Sequence, residues 1–224
     1  IVNNSAKTSG GGVYSEASLM MENSLVAGNT AVDEDGGGLV LPGAGNTVAL
    51  TNVTVSGNSA GVGGGGIFVA QTALNLNNVT ITDNTSSDDG GGIVAGTMIT
   101  NMKNSIIAGN TATNDLWGGE DCRGQINSQD YNLVQVDTCL FIAAHDITGV
   151  SPLLNPLADN GGLTQTHSLG VGSPAMNAGN NATCAATDQR GIARPQGTKC
   201  DIGAFETEML SLTLRSLGAQ DGWT

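Results

Sequence analysis

The sequence predicts an all-β fold: a right-handed parallel β-helix, which is a solenoid with about 26 residues per coil, followed by an irregular part that contains disulfides. Three observations lead to this prediction. Glycine triplets recur at a nearly constant spacing, asparagines recur in register with them, and the segments between alternate apolar and polar residues. A repeat of roughly 20 to 50 residues is typical of solenoids, in which one unit is too small to bury its apolar side alone.

The glycine triplets mark one position in each coil. Their last glycines are separated by 26, 28 and 26 residues, and an aliphatic residue follows each of them. Because glycine adopts positive φ without steric cost, we expect these residues to form tight corners before a strand. The predicted corner glycines are Gly12, Gly38, Gly66 and Gly92.

Asparagines form two further columns in the same register. Stacked asparagines at bends can exchange side-chain amide hydrogen bonds from coil to coil, so both columns are predicted to be ladders. The first column is followed by Ser or Thr, and the second lies six residues earlier. The first contains Asn4, Asn29, Asn58, Asn84 and Asn110, and the second contains Asn23, Asn52, Asn78 and Asn104.

The segments between the columns have the period of a strand. In Thr47 to Asn58, apolar and polar residues alternate over short stretches rich in β-branched residues, which favours strands over helix. Equivalent strands of successive coils can then pair at a spacing of about 4.8 Å. The right-handed sense follows from the general preference of crossover connections.

Composition and charge exclude several classes of function. The chain has 7 basic and 20 acidic residues, a net charge of −13. This field repels phosphate backbones and anionic lipid, so nucleic acid is not expected as a partner. Acidic polysaccharides are disfavoured unless calcium intervenes. No apolar run approaches the roughly 18 residues of a membrane span.

All four cysteines lie in the second half of the chain, outside any metal-binding spacing. An even number in this context indicates two disulfides formed in an oxidising compartment. Three pairings are possible, and we predict the sequential one, Cys122 with Cys139 and Cys184 with Cys200. The predicted organisation is regular coils over 1–121, disulfide-containing terminal coils and a cap over 122–206, and a tail over 207–224. Because Ile1 falls in the middle of the pattern, we expect the chain to be a piece of a longer one.

The C-terminal part carries specific motifs. They read DNGGLTQTH from Asp159, GSPAMNAG from Gly172, TDQRGIARP from Thr187 and CDIGAFE from Cys200. These segments resemble bacterial right-handed β-helix surface proteins of the choice-of-anchor type, and the upstream repeats resemble chlamydial polymorphic outer-membrane proteins. The resemblance implies an extracellular or cell-surface location, with residues 156–206 finishing the helix in irregular coils.

Acidic loops near the glycine triplets suggest calcium as a ligand. Asp33, Asp35, Asp88 and Asp89, with Glu34 and Asp115, occupy equivalent loops, and stacked carboxylates can bind Ca²⁺. The intervening coil carries Gly61 and Val62 instead, which leaves a gap of about 10 Å. The alternative is that these acids are solvated loop tips.

No residue is predicted to be catalytic. Lys7 and Lys103 are the bases of the repeat half, and Lys103 is expected to face solvent. His167 is expected to make a structural hydrogen bond. Arg190, Arg194 and Lys199 are expected to form ion pairs within the cap, beside Asp188 and Asp201.

These observations predict a non-catalytic, extracellular structural or adhesive module. Its expected partners are a second copy, stacked end to end, or cell-surface glycans or proteins. The alternative is a carbohydrate-active enzyme, such as a polysaccharide lyase or hydrolase, or a glycan-binding relative in which Trp117 is a sugar platform.

Overall fold

The computed structural model describes residues 1–114 and 119–209, and within them the chain forms a parallel β-solenoid of about five turns. Strands at equivalent positions of successive coils pair in parallel, for example Thr54 with Thr80 and Thr80 with Ile106. The described residues contain no helix, and so none that could cross a membrane. The predicted all-β solenoid with a 26-residue spacing is therefore confirmed.

The largest sheet has nine strands and bends in the middle of each coil. Strands β3 (Leu19–Ala27) and β6 (Thr47–Ser56) run through the bend, whereas later coils are divided by it. Before the bend lie β9 (Ala73–Asn77), β13 (Thr100–Lys103) and β17 (Ile126–Ser128). After it lie β10 (Thr80–Thr82), β14 (Ile106–Ala108), β18 (Leu133–Val134) and β19 (Ile147–Thr148).

Two five-stranded sheets complete each coil. The second sheet contains β1 (Ser5–Ala6), β4 (Thr30–Ala31), β7 (Ser59–Ala60), β11 (Thr85–Ser86) and β15 (Thr111–Ala112). The third sheet contains β2 (Val13–Tyr14), β5 (Leu39–Leu41), β8 (Ile67–Val69), β12 (Ile93–Val94) and β16 (Cys122–Arg123). Strand pairing therefore continues past residue 121, the predicted end of the regular coils.

Aliphatic side chains stacked in columns fill the interior of the coils. Val26, Val55, Ile81 and Ile107 form one such column, and all four are fully buried. The interior of each coil is filled by these stacked aliphatic residues, as close packing of a protein core requires. This packing accounts for a chain in which aromatic residues make up only 3%.

The excursion between β18 and β19 covers one end of this core. Phe141 and Cys139 are buried against the last coil, and Cys139 forms a disulfide with Cys122 of β16. The second disulfide joins Cys184 to Cys200. The structure thus contains the sequential pairing.

Residues 150–209, which we call the C-terminal layer, pack on the outer face of the nine-stranded sheet. Isolated antiparallel bridges such as Leu154 with Leu169 hold the layer's own segments together. A second apolar cluster lies between the layer and the sheet. It contains Ile106, Ala108, Leu133, Leu169, Ala175, Ile202 and Phe205. The layer therefore buries the outer face of the strands that follow the bend, whereas Met20 and Asn127, before the bend, stay exposed.

Substitution of Thr100 measures how much a buried, unpaired hydroxyl group inside the coil lowers the stability of the protein. Its side chain is fully buried between Leu74 and Ile126, and its hydroxyl has no hydrogen-bond partner among the described residues. Thr100→Val keeps the shape and removes an unsatisfied polar group. We therefore expect the free energy of unfolding in urea to rise by about 1 kcal/mol.

The matched control is Thr54→Val. The hydroxyl of Thr54 is also buried but donates to Gln189 Oε1 at 2.7 Å, so this substitution should destabilise the protein. A Thr100→Val protein that is less stable than the wild type would contradict the assignment.

Candidate functional site

A ladder of asparagine amides runs through the interior beside the second sheet. The side-chain nitrogen of Asn29 donates to Asn58 Oδ1 at 2.9 Å, Asn58 to Asn84 at 2.8 Å, and Asn84 to Asn110 at 2.9 Å. The backbone N–H of each of these residues donates to the same oxygen at 3.0 Å. These four asparagines are buried, and the exposed Asn4 donates to Asn29 Oδ1 at 3.0 Å. All five members of the first predicted column therefore form a continuous hydrogen-bonded stack.

The ladder ends on Asp121, a residue that the sequence analysis did not single out. Asp121 Oδ1 accepts from the backbone and side-chain nitrogens of Asn110 at 3.0 and 2.9 Å, and Oδ2 accepts from Val136 N at 2.8 Å. An ionised carboxylate has only acceptors, so it can receive the last donors of the stack without leaving a donor of its own unpaired. Burial raises the pKa of Asp121, and the hydrogen bonds from Asn110 and Val136 oppose that rise.

A shorter stack at the bend ends in the same way. Ser105 N donates to Asn132 Oδ1 at 3.1 Å, and both nitrogens of Asn132 donate to Asp146 Oδ1 at 2.9 and 3.2 Å. Asp146 Oδ2 accepts from Ala143 N at 3.2 Å. Both terminal aspartates therefore connect a stack to the excursion between β18 and β19.

The second predicted asparagine column is a series of bends rather than a continuous ladder. Asn23, Asn52, Asn78 and Asn104 have φ between 47° and 52°, the left-handed conformation. Among their amides, one direct bond is present within the column, from Asn52 to Asn23 at 3.1 Å. The expectation of a second continuous ladder was wrong, because these side chains bind the C-terminal layer instead.

The contacts of this bend column reach far along the chain. Asn52 donates to Thr187 O at 2.8 Å, Asn78 Oδ1 accepts from Ala185 N at 2.9 Å, and Asn104 Oδ1 accepts from Asn180 N at 2.9 Å. Asn52, Asn78 and Asn104 are buried, whereas Asn23 is exposed. This column docks the layer onto the solenoid.

The predicted corner glycines have a different role from the one expected. Positive φ occurs at the first glycine of each triplet, Gly10, Gly36, Gly64 and Gly90, and not at Gly12, Gly38, Gly66 or Gly92. A Cβ on Gly66 would lie 2.5 Å from Gly92 O and 3.0 Å from Asn84 Nδ2. The last glycine is therefore needed because the next coil and the ladder approach its backbone closely.

Five charged residues of the C-terminal motifs form a buried network that we call the clasp: Asp188, Arg190, Arg194, Asp201 and Glu206. Arg190 pairs with Asp188 at 2.8 Å and Arg194 with Glu206 at 3.0 Å. Arg194 also donates to the carbonyl oxygens of Asp201 and Gly203. Burial lowers the pKa of Arg194 and raises that of Glu206, yet the pair meets the requirement that buried charges be paired.

Arg190 and Arg194 therefore form ion pairs within the cap, as predicted, whereas Lys199 lies outside the clasp. It is exposed, 5.4 Å from the Tyr131 ring.

Further contacts fix the layer to the sheet. His167 Nδ1 donates to Asn155 O at 2.8 Å, and Ser56 Oγ donates to His167 Nε2 at 2.9 Å. Ala204 N donates to Thr80 Oγ1 at 3.0 Å. Both ring nitrogens of His167 are thus used in structural hydrogen bonds.

The predicted calcium residues do not converge. Asp35 Oδ1 accepts from Gly63 N at 2.9 Å, Asp89 pairs with Arg123, and Asp88 accepts from Asn114, while Asp33 is exposed. Burial, together with Glu34 and Asp88, raises the pKa of Asp35. Over residues 1–114 and 119–209, no group of three or more His, Cys, Asp or Glu side chains is arranged to hold a metal ion. Asp115 and Trp117 lie outside the described residues.

The other histidine lies on the surface. His145 Nδ1 is 2.7 Å from Asp130 Oδ2, and its ring stacks on Tyr131 with the centroids 4.5 Å apart. His145 is exposed. These contacts hold the excursion in place, and no catalytic residue is assigned.

Removing the end of the ladder should be costly. Asp121→Ala leaves two backbone N–H donors, those of Asn110 and Val136, without an acceptor. It also removes one acceptor of the Asn110 side-chain amide, which keeps Ile81 O and Ala108 O. We expect the free energy of unfolding in urea to fall by about 3 kcal/mol. Glu120→Ala, at the exposed neighbouring position, is the control and should change it by less than about 0.5 kcal/mol.

The pH dependence of stability tests whether the carboxyl group of Asp121 causes the stability difference between wild type and Asp121→Ala. Because the folded pKa of Asp121 is raised above its ordinary value of 3.8, its contribution to stability is fully present below that value and is lost as pH rises through the folded pKa. The stability difference between wild type and Asp121→Ala should therefore be larger at pH 3 than at pH 7. A difference that is constant or grows with pH would contradict this.

Two central coils of the chain are similar in sequence to a known family of repeats. The model of the Chlamydia polymorphic membrane protein repeat matches residues 52–70 and 78–96. Both segments begin at a bend asparagine, include a ladder asparagine and a glycine triplet, and end just after a strand of the third sheet. No match was found among curated proteins or among solved structures. The chain therefore contains β-solenoid repeats similar to those of the chlamydial polymorphic membrane proteins.

Proposed function

We propose that this chain is a non-catalytic structural or adhesive module of a bacterial cell-surface protein. The observation that carries the proposal is the match of two successive coils to the polymorphic membrane protein repeat. The C-terminal motifs, with their resemblance to surface proteins of the choice-of-anchor type, point in the same direction. The right-handed sense of the solenoid is part of this proposal.

The disulfides support a location outside the cytoplasm. Two disulfides lie in the C-terminal part, and no free cysteine is present among the described residues. Disulfides persist in oxidising compartments and are rare where thiols are kept reduced. A module exposed at the surface fits this chemistry.

The packing supports a structural role over a catalytic one. After the bend, the polar outer face of the nine-stranded sheet, which includes Thr54, Ser56 and Thr80, is covered by the chain's own C-terminal layer. The charged side chains of the clasp pair with one another and donate to backbone carbonyl groups. This part of the surface is therefore closed to a polysaccharide.

Protease treatment of intact cells that produce the protein tests the location. We expect the protein to be labelled by antibody before lysis, and to be released or cleaved by added protease while a cytoplasmic marker stays intact. Protection from both reagents until lysis would overturn the cell-surface proposal.

An activity assay on the purified protein tests the enzymatic alternative. Incubation with uronate polysaccharides, with and without calcium, should produce neither unsaturated ends nor new reducing ends. Either product would favour a carbohydrate-active enzyme.

End-to-end self-association stays a prediction, and the structure limits its form. The excursion that contains Phe141 covers one end of the core, whereas β1 and β2 have one neighbouring strand each among the described residues. We expect a second copy of the 224-residue chain to stack on the edges of β1 and β2. Sedimentation equilibrium should then show species larger than the monomer, and a single monomeric species at high protein concentration would contradict the expectation.

A further inference from the structure

One corner of the solenoid is built from a column of left-handed residues. This corner joins the nine-stranded sheet to the second sheet, and it carries Asn3, Gly28, Gly57, Asp83 and Gly109, with φ between 57° and 67°. Glycine adopts this conformation freely, whereas a residue with a Cβ pays a steric cost. Asp83 therefore interrupts a run of glycines at an energetic disadvantage. A strained residue that departs from the repeat is a place to look for binding.

A groove runs along this column. Two adjoining cavities of about 350 and 140 Å³ share Asp83 as a lining residue. The column forms the floor, and the C-terminal layer forms the opposite wall with Leu157 and Gln165 at one end and Pro152 and Leu154 at the other. The groove exists because the layer covers the sheet only up to this corner.

The carboxylate of Asp83 has no partner in this groove. Its side chain is exposed, and it makes no hydrogen bond or ion pair with any residue that the structure describes. The lining residues of both cavities include no lysine, arginine or histidine. With a net charge of −13 on the chain, the electrostatic complement of this groove is a cation.

The shape of the groove suits an extended chain. Four coil steps of about 4.8 Å separate Asn3 from Gly109, so the floor is about 19 Å long, which is about six residues of extended peptide. A Cβ on Gly57 would meet no atom closer than 4.0 Å, so a peptide backbone can approach the floor there. No aromatic ring lines either cavity, which removes the flat stacking surface that sugar rings use.

We propose that this groove binds an extended peptide segment of a partner protein, with a lysine or arginine side chain paired to Asp83 and aliphatic side chains against Leu154 and Leu157. The contact combines one charge-assisted pair with an apolar wall, the usual composition of a specific ligand site. The proposal concerns the purified protein and does not rest on the cell-surface location. Either can fail without the other.

Selection from a random decapeptide display library tests the proposal. Peptides selected on the wild-type protein should share a basic residue flanked by aliphatic residues. A selected peptide, labelled and followed by fluorescence polarisation, should bind Asp83→Asn about ten-fold more weakly. No enrichment of basic peptides, or equal binding to Asp83→Asn, would overturn the proposal.

Two further variants separate binding from folding. Asp83→Gly restores the glycine of the column, so it should raise the urea midpoint and still lose affinity, which excludes unfolding as the cause. Asp88→Asn removes one charge from an exposed loop elsewhere and should leave affinity within two-fold of wild type. An equal loss in Asp88→Asn would show general charge attraction, and so overturn the assignment to Asp83.

A labelled neutral hexasaccharide supplies the competing ligand class. It should not bind. Saccharide binding that is unchanged in Asp83→Asn and lost in Leu157→Ala would assign the groove to a glycan and overturn the peptide proposal.

Discussion

Vertical register is the constraint on which the rest of this structure depends. Equivalent strands pair in parallel from coil to coil, so each side chain must tolerate a copy of its column about 4.8 Å above and below it. Asparagine meets this constraint because its amide has both donor and acceptor, and each rung can receive from one coil and donate to the next. The same property requires a different residue at the end of the stack, and Asp121 and Asp146 take that position.

The glycine triplets and the ladder depend on each other. The first glycine of a triplet turns the chain with positive φ, and the last allows the ladder amide and the neighbouring backbone to approach. A methyl group on Gly66 would displace either Gly92 O, which accepts from Ile67 N, or the amide of Asn84. Either shift would leave a buried N–H donor without its acceptor. The high glycine content thus serves close packing as much as turning.

The sequence predicted what repeats and missed what occurs once. The strands, the coil length and the Asn29 to Asn110 stack follow from periodic columns, which are visible as spacing. Asp121 was missed because the last acceptor of the stack occurs only once in the chain, so it belongs to no repeating column. The bend asparagines were assigned to a ladder because their partners, such as Ala185 for Asn78, lie 107 residues away and outside the repeat. The motifs of the clasp were recognised, but spacing carries no information that their segment folds back over the sheet.

Residues that depart from the repeat are therefore the ones that repetition alone does not explain. Three of them are aspartates. Asp121 and Asp146 replace the next rung of a stack, and each accepts from backbone N–H groups of the excursion or beside it. Their carboxylates are fully accounted for by structure. Asp83 replaces a corner glycine, bears the cost of left-handed φ, and has no partner among the described residues. A solenoid stabilised by repetition gains no stability from that exception, so the explanation for Asp83 lies in what the groove beside it binds.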